Sequence, residues 1–177
     1  MVLTPDEKWI RGCLEQLRRQ LCAGNNSKIL CWVIPGVLAC SQRPLRDHPV
    51  YSPCSSGFRP QPLPPEASTL VVEWVQKILD AGIKSVICLL EPAQLKKYYV
   101  QGGLNLPSGG LLEYYQHRGL DVRHVPTTDY QRPSAVVMQL VLTAFDLLPQ
   151  PVLLHCSAAI DRTTPVAAFL FKERGST

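Results

Sequence analysis

The spacing of apolar residues predicts helices that alternate with short strands. The first helix, over about residues 4–24, has apolar residues at helical spacing, Thr4 as its cap and Gly24 at its end. Later helical patterns span about 66–81, 92–100, 111–118, 134–148 and 163–174, whereas short apolar runs predict strands at 29–34, 37–40, 85–90, 121–126 and 151–155.

This alternation is typical of an α/β domain with a central, mostly parallel sheet flanked by helices. The run VLLH (152–155) is apolar throughout, as expected of a central strand that is covered on both faces. In such sheets ligands bind beyond the carboxyl ends of the strands. We therefore expect the functional residues to follow the strands.

Length predicts one domain over residues 1–177, comprising an N-terminal helix at 1–24 and a proline-rich loop at 43–65. No apolar run reaches the roughly 18 residues that a membrane span needs. The first residues, MVLTPDEKWIRG, lack the basic and apolar regions of a secretory signal, so we expect a cytoplasmic protein.

The amino-acid composition excludes few classes of function. The net charge of +4 comes from dispersed lysines and arginines, which mildly favours anionic substrates without indicating a nucleic acid or a membrane. The seven cysteines form no CxxC pair and no cluster with zinc-ligand spacing. An odd number in a reducing compartment predicts free thiols rather than disulfides.

The stretch HCSAAIDRTTP (155–165) carries the strongest chemical signal, a cysteine six residues before an arginine at a strand–helix junction. A loop of small residues entering a helix turns backbone N–H groups inward and binds an oxyanion of phosphate geometry. The same positive field stabilises a thiolate at Cys156, and Arg162 supplies a two-pronged donor for phosphate oxygens. The loop residues that would line this cradle are Ser157, Ala158, Ala159, Ile160 and Asp161.

Two neighbours of this loop have expected supporting roles. His155 is positioned to orient the loop through its ring nitrogens, and Thr163 to donate a hydrogen bond to the sulfur. Asp161 has three open interpretations: an alternative acid, a group that orients the arginine, or a cap of the following helix.

A general acid is also needed to protonate the leaving oxygen. Asp129 lies in VPTTDYQRPSA (125–135), after a predicted strand and 27 residues before Cys156. One helix separates the two loops, so adjacent strands would place both at the same edge of the sheet.

HC-x5-R-T, with an aspartate on a D-x-x-x-P-S loop one helix earlier, resembles the cysteine-dependent protein tyrosine phosphatases, and the compact dual-specificity branch fits best. The resemblance covers about residues 29–175, less the proline-rich insertion. It implies a phosphatase fold, Cys156 as nucleophile through a phosphocysteine intermediate, Arg162 as phosphate clamp and Asp129 as acid then base. It implies no metal or other cofactor. The implied substrate is a phosphorylated protein or another phosphomonoester.

Two departures from the family pattern stand out. Ala159 replaces the usual glycine three positions after the nucleophile, which costs roughly 1 kcal/mol if the backbone there is left-handed. About a dozen residues follow Thr163, where relatives usually have further helices, so either the N-terminal helix substitutes for them or the chain is truncated at that end.

Two classes of function therefore stay open from the sequence. The first is an active phosphatase for phosphotyrosine, phosphoserine or phosphothreonine, with lipid or RNA phosphates as other substrates. The second is a catalytically impaired phosphate-binding module, which only Ala159 favours. Arg43, Arg46 and Arg132 are candidates for contacts with additional phosphates.

Overall fold

The computed structural model of this chain describes residues 2–54 and 59–175. The elements are α1 (Pro5–Cys22), β1 (Cys31–Ile34), β2 (Leu38–Ser41), α2 (Ser68–Asp80), β3 (Ser85–Cys88), α3 (Pro92–Tyr99), α4 (Leu111–His117), β4 (Asp121–His124), α5 (Ala135–Leu147), β5 (Val152–His155) and α6 (Thr163–Arg174). A single turn of 3-10 helix, Pro65–Ala67, leads into α2.

The five strands form one sheet in the order β1-β2-β5-β3-β4. Only β1 is antiparallel to its neighbour β2, and the other pairs run parallel. The predicted α/β fold with a mostly parallel sheet is thus confirmed. β5 lies at the centre of the sheet and is buried along its whole length, as its apolar run predicts.

Helices cover both faces of the sheet and create two apolar cores. On one face α2, α3 and α4 pack through residues such as Val71, Tyr99 and Tyr115. On the other face α1 packs beside α5 and α6, with Leu14 and Leu17 in the same core as Phe145. The amphipathic α1 is therefore a packed helix of the domain.

The start of α1 follows its sequence signals closely. The Thr4 hydroxyl accepts a hydrogen bond from the Glu7 N–H at 3.2 Å, and Glu7 Oε2 accepts one from the Thr4 N–H at 2.8 Å. This capping box satisfies two backbone donors that a helix start leaves unpaired. Among the described residues, no helix is both long enough and apolar enough to cross a bilayer.

The prediction of free thiols is wrong for two cysteines. Cys22, at the end of α1, forms a disulfide with Cys54 in the proline-rich segment, and their Cα atoms are 5.8 Å apart. The last turn of α1 lies beside that segment, a proximity that no spacing in the sequence reveals. The other five cysteines are free, and only Cys13 among them is exposed. Within the proline-rich loop predicted at 43–65, residues 55–58 lie outside the described part of the chain.

Candidate active site

Three loops meet beyond the carboxyl ends of β5, β3 and β4. β3 pairs with both β5 and β4, so the segments that follow these strands are neighbours. After β5 comes the loop 156–162, after β4 the loop with Asp129, and after β3 the start of α3. The candidate residues therefore meet at the edge where α/β proteins bind ligands.

The loop 156–162 curls beneath a cavity with Cys156 at its base. The cysteine is 2% exposed, and the cavity of about 240 Å³ is also lined by Ser157, Ala158, Ile160 and Asp161. Ala159 adopts φ 67°, the left-handed conformation for which glycine is favoured, and its carbonyl accepts a hydrogen bond from the Thr164 hydroxyl at 3.1 Å. Alanine thus occupies the glycine-type backbone conformation of this loop.

Arg162 is the N-cap residue of α6, and no side chain in the described part of the molecule caps this helix by a hydrogen bond. The interpretation of Asp161 as a helix cap is therefore wrong, because Asp161 lies one residue before the cap. Its exposed side chain lines the cavity instead.

The Arg162 guanidinium is buried and held along one edge. Its Nη1 donates to Gln94 Oε1 at 2.8 Å and to the Thr127 carbonyl at 3.2 Å. Nε and Nη2, which form the other edge of the plane, make no hydrogen bond within residues 2–54 and 59–175. Buried donors are rarely left unpaired. This edge has the two-pronged geometry that matches two phosphate oxygens.

Asp129 lies next to this arginine. Its Oδ2 is 3.2 Å from Arg162 Nη2 and accepts a hydrogen bond from Gln94 Nε2 at 2.8 Å. Its Oδ1 accepts one from the Tyr130 N–H at 2.9 Å. The structure therefore brings together the three residues predicted to be catalytic.

Gln94 is a site residue that the sequence reading missed. It bridges Arg162 and Asp129 from the first turn of α3, and its Oε1 also accepts from the Glu91 N–H at 3.1 Å. A signal was present, because EPAQ (91–94) follows a buried strand and forms a helix-start capping box.

His155 is fully buried behind the cysteine. Burial lowers its pKa to about 4, against the opposing effect of the Cys156 backbone, so the imidazole is neutral at pH 7. Since the Cys156 carbonyl can only accept, Nδ1 carries the proton and donates to it at 3.1 Å. Nε2 then accepts from the Tyr115 hydroxyl at 3.0 Å. One ring nitrogen of His155 thus contacts the backbone of Cys156 and the other contacts Tyr115, while its role in orienting the loop stays a prediction.

Arg43 supports the loop from below and is 1% exposed. Its backbone N–H donates to the Ser157 carbonyl at 2.9 Å, and its Nε donates to the Ser157 hydroxyl at 3.2 Å. The guanidinium lies 3.7 Å above the centre of the Tyr98 ring. Arg43 does not line the cavity that contains Cys156, so its contact with additional phosphates stays a prediction.

The remaining candidates have other surroundings. The Thr163 hydroxyl is buried and makes no hydrogen bond among the described residues, so its bond to the sulfur stays a prediction. Arg132 contacts Glu7 on α1, with 2.6 Å between Nη2 and Oε1. Arg46 lines the cavity itself.

Two other buried thiols lie near the nucleophile. Burial raises the pKa of Cys88 to about 12 and the pKa of Cys40 well above its ordinary value. Both stay protonated at neutral pH and cannot compete as nucleophiles. Cys156 is the cysteine that lines the cavity beside Arg162.

A thiol at the base of a phosphate-sized loop, a buried arginine with an open edge and an aspartate beside it define a phosphatase-like α/β protein. The family model Tc-R-P, described as "Polymorphic toxin system, DSP-PTPase phosphatase", matches residues 64–175. The chain therefore belongs to this phosphatase family, which confirms the resemblance to the compact dual-specificity branch. The matched range includes the three candidate catalytic residues and Gln94, and it excludes α1, β1 and β2.

Among solved structures, the chain is similar to other phosphatases at low sequence identity. The kinase associated phosphatase, in a form with its catalytic site cysteine replaced by serine, is 18% identical with a TM-score of 0.51, over 76% of this chain and 65% of that one. The phosphatase Tk-PTP in its active form is 20% identical with a TM-score of 0.48, over 85% of this chain and 78% of that one. The sequence gives no significant match among curated proteins.

Proposed function

We propose that the protein hydrolyses phosphomonoesters on phosphorylated proteins, at phosphotyrosine, phosphoserine or phosphothreonine, through a phosphocysteine intermediate. The observation that carries this proposal is the open edge of Arg162. The buried guanidinium is fixed by Gln94 and Thr127 through Nη1, and it shares a cavity with Cys156. Among the described residues Nε and Nη2 make no hydrogen bond, and the Asp129 carboxylate is the ionic partner of Nη2.

The first step forms a sulfur–phosphorus bond. The Cys156 thiolate attacks phosphorus while the ester oxygen–phosphorus bond breaks, and protonated Asp129 gives its proton to the leaving oxygen. Arg162 and the backbone N–H groups of the loop bind the phosphoryl oxygens, whose charge is redistributed in the transition state.

The second step returns the enzyme to its initial state. Asp129, now a carboxylate, takes a proton from water as the water oxygen attacks phosphorus, and the sulfur–phosphorus bond breaks. The products are inorganic phosphate and the free thiolate. Arg162 pairs with Asp129, and a bound phosphate would replace the carboxylate at Nη2 and release it for proton transfer.

The surroundings of the Cys156 thiol favour a substrate whose phosphate is carried on a long side chain, as in phosphotyrosine. Cys156 is only 2% exposed beneath the cavity, and Tyr130, beside Asp129, is 89% exposed at the rim. An aromatic side chain there can contact the residue that carries the phosphate. Ala159 already adopts the left-handed conformation, which supports turnover over the impaired binding module.

We further propose that the protein acts as one domain. We also propose that it works in the cytoplasm, because the nucleophile must be a reduced thiol. The Cys22–Cys54 disulfide favours the opposite location, since disulfides persist in oxidising compartments. Labelling of the thiols in cells would show whether this disulfide is present where the enzyme works.

The test is hydrolysis of p-nitrophenyl phosphate between pH 5 and 7.5 in the presence of a metal chelator. We expect Cys156→Ser to lose at least about 10³-fold in kcat, and Asp129→Asn to lose about 10²–10⁴-fold. Arg162→Lys keeps the charge but loses the planar fork, so its kcat/KM should also fall strongly.

Cys13→Ser and Asp121→Asn are matched controls, since both residues are exposed and outside the cavity. Both variants should retain wild-type rates. A Cys156→Ser variant that is folded and as active as the wild type would refute the proposal. A folded wild type without turnover that still binds phosphopeptide would instead establish the binding module.

A further inference from the structure

Two arginines outside the catalytic set form one wall of the active-site cavity. Arg18 lies in the fourth turn of α1, and Arg46 lies in the segment after β2. Both line the cavity that contains Cys156 and Arg162. Neither lies in the range 64–175 that the family model covers. They therefore lie outside the part of the chain that matches the family.

Asp47 holds the two arginines in place. It is fully buried, with Oδ2 2.9 Å from Arg18 Nε and Oδ1 2.6 Å from Arg46 Nη1. The Cys22–Cys54 disulfide joins α1, one turn after Arg18, to the chain seven residues after Asp47. The arginine wall is thus fixed at both ends and is not a pair of mobile surface side chains.

Arg18 and Arg46 together carry more positive charge than the Asp47 carboxylate neutralises. One carboxylate serves two guanidiniums, the buried Arg43 adds a third cation nearby, and the buried Arg46 Nε makes no hydrogen bond among the described residues. Burial lowers the pKa of Arg46, Asp47 opposes this, and Arg43 and Arg18 lower it further. An anion at this wall would relieve the repulsion.

The cavity also has two acidic lining residues. These are Asp129 and Asp161, and Asp129 is already paired with Arg162. A second acidic group on the substrate would therefore be repelled on the Asp161 side and attracted on the Arg18 side. The Arg18 side chain is 39% exposed, so an incoming ligand can reach it.

We infer that Arg18 and Arg46 form a second anion subsite that selects phosphopeptides with an acidic side chain flanking the phosphorylated residue. The inference rests on the proposed phosphatase function and adds its substrate preference. A carboxylate on the peptide would accept hydrogen bonds from guanidinium N–H groups that Asp47 does not use, while the scissile phosphate binds at Arg162.

The test compares three phosphotyrosine peptides that have alanine on both flanks, glutamates before the phosphotyrosine, or glutamates after it. For the wild type, we expect one acidic peptide to have a kcat/KM about tenfold above that of the alanine peptide. In Arg18→Gln this ratio should fall to near one. Arg19→Gln is the matched control, because Arg19 is exposed on the same helix and does not line the cavity.

Dissociation constants of the same peptides for Cys156→Ser, with and without Arg18→Gln, test the subsite independently of turnover. Equal affinity for all three peptides would overturn the inference, as would an acidic preference that survives Arg18→Gln. A wild type that hydrolyses none of the peptides, while Cys156→Ser still binds an acidic peptide more tightly in an Arg18-dependent way, would contradict the phosphatase proposal but not the subsite. Hydrolysis of all three peptides at equal rates would overturn the subsite alone.

Discussion

Ala159 has a backbone conformation that L-residues rarely adopt, and its surroundings keep it there. The residue is fully buried, with φ 67°, and its carbonyl accepts the Thr164 hydroxyl. A left-handed alanine costs roughly 1–2 kcal/mol, which the rest of the fold must offset. The loop therefore keeps a glycine-type geometry without a glycine.

We expect Ala159→Gly to change the free energy of unfolding by less than about 0.5 kcal/mol. Relief of the left-handed strain offsets the flexibility that glycine adds to the unfolded chain. Ala168→Gly, in the buried interior of α6, should instead cost about 1 kcal/mol or more. Urea unfolding of both variants measures the difference, and equal losses would show that Ala159 is not strained.

Gln94 connects the general acid to the phosphate-binding arginine. Gln94→Ala should lower kcat/KM for p-nitrophenyl phosphate by about tenfold, because Arg162 and Asp129 each lose one oriented hydrogen bond. Gln139→Ala, exposed on α5, is the matched control and should be neutral. An active Gln94→Ala variant with unchanged kinetics would contradict the positioning role.

At the scale of elements, α1 contacts the loop that carries Asp129. Glu7 is 1% exposed and joins Thr4, at the cap of α1, to Arg132 on that loop. Burial would raise the pKa of Glu7, but the hydrogen bonds from Thr4 and the charge of Arg132 outweigh it and lower the pKa below 4.5. The ionised carboxylate thus links the N-terminal helix to the general-acid loop.

This linkage predicts a pH-dependent stability difference between the wild type and Glu7→Gln. Because the folded pKa is depressed, the stabilisation is complete above about pH 4.5 and is lost as pH falls through the lower folded value. We expect Glu7→Gln to cost about 1–3 kcal/mol at pH 7 and progressively less below pH 4.5.

Unfolding in urea at several pH values measures this difference. Glu15→Gln, whose carboxylate pairs with Arg11 in a half-exposed i,i+4 contact, should cost less than about 0.5 kcal/mol. If the free energies of unfolding of the wild type and Glu7→Gln differ by the same amount from pH 7 to pH 3, the ionised Glu7 carboxylate is not the source of the stabilisation.

The Cys22–Cys54 disulfide closes a loop with a sequence separation of 32 residues. Its removal by paired serine substitutions should lower the free energy of unfolding by about 3–4 kcal/mol, since the unfolded chain regains the entropy of that loop. Cys13→Ser should be nearly neutral because this free thiol is exposed. Alkylation of all seven cysteines in the denatured protein without a reductant would contradict the disulfide.

For the whole molecule, the sequence predicted the kind of fold and the three candidate catalytic residues, because both depend on local patterns. The apolar run at 152–155 and the capping residues Thr4 and Ser134 each determine an element from a few neighbouring residues. Contacts across the fold were not predictable in this way. The stacking of Arg43 on Tyr98, the disulfide and the bridge through Gln94 join segments that only the sheet topology brings together.

The site as a whole follows from that topology. β5 at the centre of the sheet presents the nucleophile loop, its neighbour β3 presents Gln94, and β4 presents Asp129. Cys156 thereby shares one cavity with both arginine groups, the buried Arg162 and the wall of Arg18 and Arg46. In the proposed mechanism this cavity holds a phosphoryl group covalently on the Cys156 sulfur during turnover.

Rapid alkaline quenching of the wild type during turnover of p-nitrophenyl phosphate, followed by peptide mass analysis, tests for this intermediate. We expect the peptide containing Cys156 to gain the mass of one phosphoryl group on its cysteine, and Cys156→Ser to gain none. Turnover that continues without any such adduct, or with the phosphoryl group on Ser157, would contradict the proposed mechanism.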